Sequence, residues 1–364
     1  SEVYFDETLF PWRPAHDRRV GLPVPTLSEL DDSPTALRST ELPPSSPIDT
    51  SASGLAEAYD RATKVAGSIA RRSTKVLILF SGPKARPEGL AVFLARLGID
   101  SVLVDNDPEQ GGGSNDDLLA QPVFDDLLRR VQAGEFLCIL AAPPCSTFSI
   151  ARFFKPKDGK PGAPILRVRR EIAGSKDLTP SRRAEAERAN LLARRTCALL
   201  AAGYSIGTQF ILENPSDRGQ RNQADLFLDE RHGPIWLLPE VIALRRATEA
   251  SSATFPMCAF GSPWQKFTTL LFTPGLSPWL DRLSSLRCHH SRHTSMAGGE
   301  VNSDGVWVSR DAAAYPADLN LYLARAIASL HSAALAPAMS SPAGGRGHTP
   351  DEVIDAAAAN VPAV

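Results

Sequence analysis

The chain has 364 residues, 43% of them hydrophobic and 22% charged, and carries a formal net charge of −2 at pH 7. That balance describes an ordinary globular protein and argues against a generic polyanion binder, though not against a local basic groove. No window approaches the roughly eighteen uninterrupted apolar residues of a membrane span, the first residues lack the layout of a secretory signal, and five scattered cysteines suit free thiols in a reducing, intracellular compartment.

Residues 1–53 open with aromatics (Tyr4, Phe5, Phe10, Trp12) and become rich in Pro, Ser and Thr, so they read as an extended arm. A main domain is expected over 54–336, beginning with a helix at 54–72. The run 75–80 is apolar, of strand length, and is broken by Ser81-Gly82-Pro83. Helix 90–97, strand 101–105, and strands 136–141, 208–212 and 268–272 follow. Buried apolar strands alternating with helices predict an α/β fold with a doubly wound, mostly parallel sheet. Ligands of such sheets bind beyond the carboxyl ends of the strands, where the polar clusters of this chain fall. The tail 337–364, rich in Ala, Pro and Gly, is expected to be disordered.

The chemistry is read from those strand ends. Gly82 directly after a buried strand admits a ligand that a Cβ would exclude. The strand at 101–105 ends in Asp105-Asn106-Asp107, and an acid there suits the ribose hydroxyls of a nucleoside cofactor. The strand at 136–141 runs into Pro143-Pro144-Cys145-Ser146, a stiff turn presenting a thiol where a nucleophile belongs. Cys138 and Cys197 read as buried apolar residues. After 208–212 come Glu213 and Asn214, a carboxyl and an amide able to hold the edge of a base.

Those residues resemble the S-adenosylmethionine-dependent cytosine-5 DNA methyltransferases. Phe80-Ser81-Gly82 with Gly89-Leu90 is similar to the family's first motif, although Lys84 and Ala85 replace its middle glycines. Asp105-Asn106-Asp107, Asp116-Asp117-Leu118, Pro144-Cys145-Ser146-Thr147-Phe148-Ser149 and Glu213-Asn214-Pro215 follow in family order. Phe260-Gly261-Ser262-Pro263-Trp264-Gln265-Lys266 and Ser309 to Pro316 continue it. The resemblance implies a methyltransferase-type Rossmann-like fold and methyl transfer to C5 of cytosine in DNA, duplex or single-stranded. Cys145, Glu213 and Lys266 are then catalytic. Phe80, Ser81, Gly82, Gly89, Leu90, Asp105, Asn106, Asp117 and Pro143 bind S-adenosylmethionine, with Asp117 near the adenine. Ser146, Asn214 and Gln265 contact the nucleic acid. Lys266 and Thr268 stand where the family has arginines, Asn320 is the candidate for a closing asparagine, and the target-recognition segment is reduced to 274–307.

From Arg152 to Arg195 thirteen Lys or Arg face five Asp or Glu. Lys155, Lys157 and Lys160, in the loop 155–170, are expected to meet phosphates. Cys258, Cys288, His290 and His293 have the ligand types of a zinc site, but no Cys-x-x-Cys pair anchors them, so the polar reading is preferred and no metal ligand is assigned. Two other functions fit the sequence: amino-methylation of adenine or cytosine, and a non-catalytic nucleic-acid-binding domain of a mobile-element or viral polyprotein.

Overall fold

A computed structural model describes residues 75–154, 162–290, 293 and 312–335. The arm, the helix expected at 54–72, Lys155, Lys157, Lys160 and the tail lie outside the described residues. The described chain is α/β. Its strands are β1 (Lys75–Leu79), β2 (Asp100–Val104), β3 (Cys138–Ala141), β4 (Gln209–Pro215), β5 (Ser251–Pro256) and β6 (Phe267–Phe272). Its helices are α1 (Leu90–Arg96), α2 (Gln121–Gln132), α3 (Pro180–Tyr204), α4 (Pro239–Ala247), α5 (Ser277–Leu280) and α6 (Ala317–Leu335).

The six strands form one sheet in the order β2-β1-β3-β4-β6-β5. The first four are parallel, whereas β6 runs antiparallel to both β4 and β5. The sheet is therefore mixed, and β5, a strand that the sequence reading did not anticipate, closes its edge. Because side chains alternate across a strand, Val76 and Ile78 face one layer and Leu77 and Leu79 the other. The first layer packs Leu90 and Leu94 of α1 with Leu319, Tyr322 and Leu323 of α6. The second packs Leu127 of α2, Cys197 of α3 and Val241 of α4. Burial on both faces is why β1 and β3 read as continuous apolar runs.

The first part of the expected recognition segment, 274–286, packs into this core. Leu276, Trp279, Leu280 and Leu283 are buried there, and Tyr322 donates its hydroxyl to the Trp279 carbonyl at 2.6 Å.

The reversal of β6 puts its first residues beside the last residues of its neighbours. Pro215 at the end of β4 pairs with Thr268 at the start of β6, and Pro256 at the end of β5 pairs with Phe267. The turn between β5 and β6, which carries Gln265 and Lys266, is thus delivered to the same edge as the carboxyl ends of β1 to β4.

Candidate active site

At the end of β4, alternation sends Glu213 and Asn214 to opposite faces of the sheet. Glu213 is 5% exposed. Its Oε1 accepts from the Thr268 hydroxyl and lies 3.7 Å from Lys266 Nζ, and its Oε2 accepts from the Tyr315 hydroxyl at 3.0 Å. Three donors from β6, the turn before it and the segment leading into α6 therefore converge on one carboxyl group. Thr268, which breaks the family pattern in sequence, is one of them. Burial drives the Tyr315 phenol well above its ordinary pKa, reinforced by the charge and hydrogen bond of Glu213 and by the charge of Cys145.

Cys145 is half-buried on the turn after β3. Burial pushes its thiol above the ordinary value, while the Lys266 charge lowers it and the Glu213 charge raises it. The resting group is thus a thiol, with the one favourable charge supplied by Lys266. Cys138 and Cys197 are buried in the core, and burial raises both thiols.

Asn214, expected at the edge of a base, has a different task. It is 1% exposed, and its amide donates to the Pro143 carbonyl at 2.9 Å, so it fixes the turn that carries Cys145. Ser146 is exposed beside Cys145, and Gln265 is half-exposed before Lys266.

Two residues that the sequence reading missed hold the far side of the same turn. Arg167 is 2% exposed and donates to the Thr147 carbonyl and hydroxyl (both 3.1 Å), to the Ile172 carbonyl (2.7 Å) and to Asn190 (2.8 Å). Its guanidinium lies 3.9 Å from the Phe148 ring centroid. Burial lowers its pKa to about 10, helped by Arg152 and opposed by Glu185. His232, fully buried, bonds the Phe148 carbonyl through Nε2 at 2.8 Å. A carbonyl only accepts, so Nε2 carries the proton and Nδ1 accepts the Arg218 N–H at 3.1 Å. No local motif marks either residue, because their partners lie 20 and 84 positions away.

This corrects the phosphate reading for the end of the loop 155–170. Arg167 lies beneath the turn that carries Cys145, and Arg169 pairs with Asp217 at 2.5 Å. Arg152 is likewise committed to the Ser146 and Pro164 carbonyls and to Glu185.

Beside the thiol, a small cleft of about 20 Å³ opens at the ends of β1 and β2. Phe80, Asn106, Asp116, Asp117, Leu118 and Pro144 line it. Phe80 sits at φ 60°, a costly conformation for a non-glycine residue, and Gly82 follows at φ 67°. The Asp105 carboxylate stabilises this sharp turn, accepting the N–H of Gly82 at 2.8 Å and of Asp107 at 3.0 Å. Each oxygen keeps a second lone pair for a ligand. Lys84, in place of a glycine, pairs with Asp116 at 2.6 Å across the rim.

Of the expected cofactor residues, Phe80, Asn106 and Asp117 line the cleft, whereas Ser81, Gly82, Asp105, Gly89, Leu90 and Pro143 do not. Leu90 is a core residue of α1, 7% exposed, and makes no part of the cleft lining. Gly89 caps α1. Pro143 is buried behind Pro144 and held by Asn214. Asn320 donates to the Glu88 carbonyl at 2.8 Å and so ties α6 to the turn before α1.

Cys258, Cys288, His290 and His293, the possible zinc set of the sequence, are brought together. Their ligand atoms all lie within 4.8 Å of one another, a cluster that could hold a metal ion. No helix among the described residues is long and apolar enough to cross a membrane.

A scan against models of known protein families returned no match, and neither did a search of curated proteins.

Proposed function

We propose that the protein transfers a methyl group from S-adenosylmethionine to C5 of cytosine in DNA, with Cys145 as the covalent nucleophile. One arrangement carries the reading: a thiol, a carboxyl and an ammonium meet at a single sheet edge, next to a cleft lined with aromatic, amide and carboxylate groups. The finer assignment of the sheet to the methyltransferase type rests on that edge and on the antiparallel β6 inserted beside β4.

The groups lining the cleft suit an adenosine-bearing cofactor, and the cleft must widen to admit one. Phe80 offers an apolar wall, Asn106 and Asp117 offer an amide and an acceptor for an exocyclic amine, and Asp105 retains acceptor capacity for ribose hydroxyls. When bound, S-adenosylmethionine supplies an electrophilic methyl group.

The base must leave its stack to reach Cys145 on so rigid a turn, which costs a few kcal/mol in duplex and less in single strands. Cys145 must first lose its proton, and Lys266 is the charge placed to favour the thiolate. Sγ then bonds to C6 of the base, and the electrons of the C5–C6 double bond become available at C5. Glu213, entering this step as the carboxylic acid, donates its proton to N3 and so neutralises the negative charge that the addition places on the ring. Once C5 has been methylated, water takes the C5 proton, the electron pair left behind re-forms the C5–C6 double bond and expels Sγ as the thiolate, and N3 returns its proton to Glu213. Asn214, Arg167 and His232 keep the turn aimed throughout, so their role is positional.

The direct test is incubation with DNA containing 5-fluorocytosine and S-adenosylmethionine. Fluorine cannot leave as a cation, so the adduct on Cys145 persists and is seen as a denaturant-resistant complex. Methylation of an exocyclic amine gives no adduct, and a binding domain without catalysis gives neither adduct nor methylated base.

A further inference from the structure

We infer that Cys258, Cys288, His290 and His293 form a closed, four-ligand zinc site that clamps the β5–β6 turn to the chain running toward Tyr315. The site stands apart from methyl transfer, since none of its ligands belongs to the cluster around Cys145. Cys258 is 3% exposed in the short 3₁₀ turn Met257–Phe260, and the other three ligands come after the turn Asp281–Ser285.

Geometry carries it. Zinc bonds of about 2.3 Å to sulfur and 2.0–2.1 Å to nitrogen, arranged tetrahedrally, put neighbouring donors about 3.3–3.8 Å apart. Cys288 Sγ lies 3.7 Å from His290 Nδ1 and 3.2 Å from His293 Nε2, and every pair within the four is inside 4.8 Å. The four ligand atoms thus already sit close to a coordination polyhedron. Donor chemistry narrows the choice of metal: two thiols and two imidazoles with no carboxylate select zinc over magnesium or calcium. Four protein ligands fill the tetrahedron and leave no open position, the signature of a structural site.

Its place in the fold gives it a purpose. Cys258 lies between β5 and the turn that carries Lys266, while Phe260, two residues on, packs against Tyr322 of α6. The other three ligands precede Tyr315, whose hydroxyl meets Glu213. The clamp therefore ties the turn that supplies Lys266 to the chain after Leu286.

The full chain, purified under reducing conditions without added metal, is expected to contain about one zinc per molecule by elemental mass spectrometry. Replacement by Co2+ is expected to give the intense visible bands of a tetrahedral ion together with thiolate-to-cobalt charge transfer. Alkylation should spare Cys258 and Cys288 until a chelator is added. The Cys258→Ala/Cys288→Ala double variant should lose the metal, whereas Cys145→Ser should keep it. Metal-free protein that gives no tetrahedral cobalt spectrum overturns the site. A Cys258–Cys288 disulfide in the non-reduced peptide map also overturns it, as does full zinc content in the double variant. The cobalt and alkylation measurements use the wild-type chain, so they decide the matter even where the double variant fails to fold.

Discussion

His232 Nε2 lies 2.8 Å from the carbonyl oxygen of Phe148, so a buried imidazole 84 residues further along the chain fixes the turn that presents Cys145. Arg167 grips the same turn through Thr147, and Asn214 holds its first residue, Pro143. Cys145 is thereby fixed from three elements that are distant in sequence. Such preorganisation is what the proposed addition to a flipped base requires.

Cys145→Ser is expected to abolish methyl transfer, because a hydroxyl near neutral pH is a far poorer nucleophile than a thiolate. The change is nearly isosteric on a turn held by other side chains, so the thermal midpoint and cofactor affinity should stay close to wild type. Single-turnover methylation on matched DNA decides it, and surviving activity would remove the covalent mechanism.

Tyr315→Phe deletes one of the donors to Glu213 and leaves the ring in place. Methyl transfer is expected to fall roughly tenfold, corresponding to about 1.4 kcal/mol, with cofactor binding retained. A kcat equal to that of wild type would show that Thr268 and Lys266 suffice to hold the carboxyl group.

Asp105→Ala frees the N–H groups of Gly82 and Asp107 and loosens the strained turn at Phe80. The affinity for S-adenosylmethionine should drop by about 1–3 kcal/mol, measured by calorimetry. Asp105→Asn keeps one acceptor oxygen and should lose less. Equal losses in the two variants would tie the effect to charge alone.

Arg167→Met leaves the Thr147, Ile172 and Asn190 acceptors without their buried donor. The cost is expected to be at least about 3 kcal/mol in the denaturant-extrapolated unfolding free energy. Arg167→Lys should recover only part of it, since an ammonium cannot reproduce the planar fork. A midpoint unchanged in Arg167→Met would mean that the turn finds other partners.

Asp217 connects stability to pH. Burial alone raises its pKa, yet the hydrogen bonds from Arg169, the Gly219 N–H and Gln220 more than offset this and hold it below the ordinary carboxylate value. A carboxyl depressed in the folded state adds stability that is fully present above its unfolded pKa of about 4 and is lost as pH falls toward the folded value. Wild type should therefore exceed Asp217→Asn in stability at neutral pH, and the gap should close progressively below about pH 4. A gap that stays constant down to acid pH would assign the difference to packing.

The sequence by itself determined the strand framework and the residues after it. Continuous apolar runs at 75–79 and 138–141 can only be strands buried on both faces, and polar residues directly after such runs fall at one sheet edge by the geometry of parallel strands. Cys145, Glu213 and the Phe80 turn were legible for that reason. Tertiary structure alone decided the rest. The direction of β6, which a short apolar run does not encode, brings Lys266 and Thr268 to Glu213. Alternation across β4 turned Asn214 inward to Pro143, and Leu90, placed at the cofactor by its motif, went to the core by the facing of α1. Arg167 and His232 had no local signature, because each acts through partners that only the folded chain makes neighbours, whereas Cys258, Cys288, His290 and His293 were legible as ligand types and only folding brought them together.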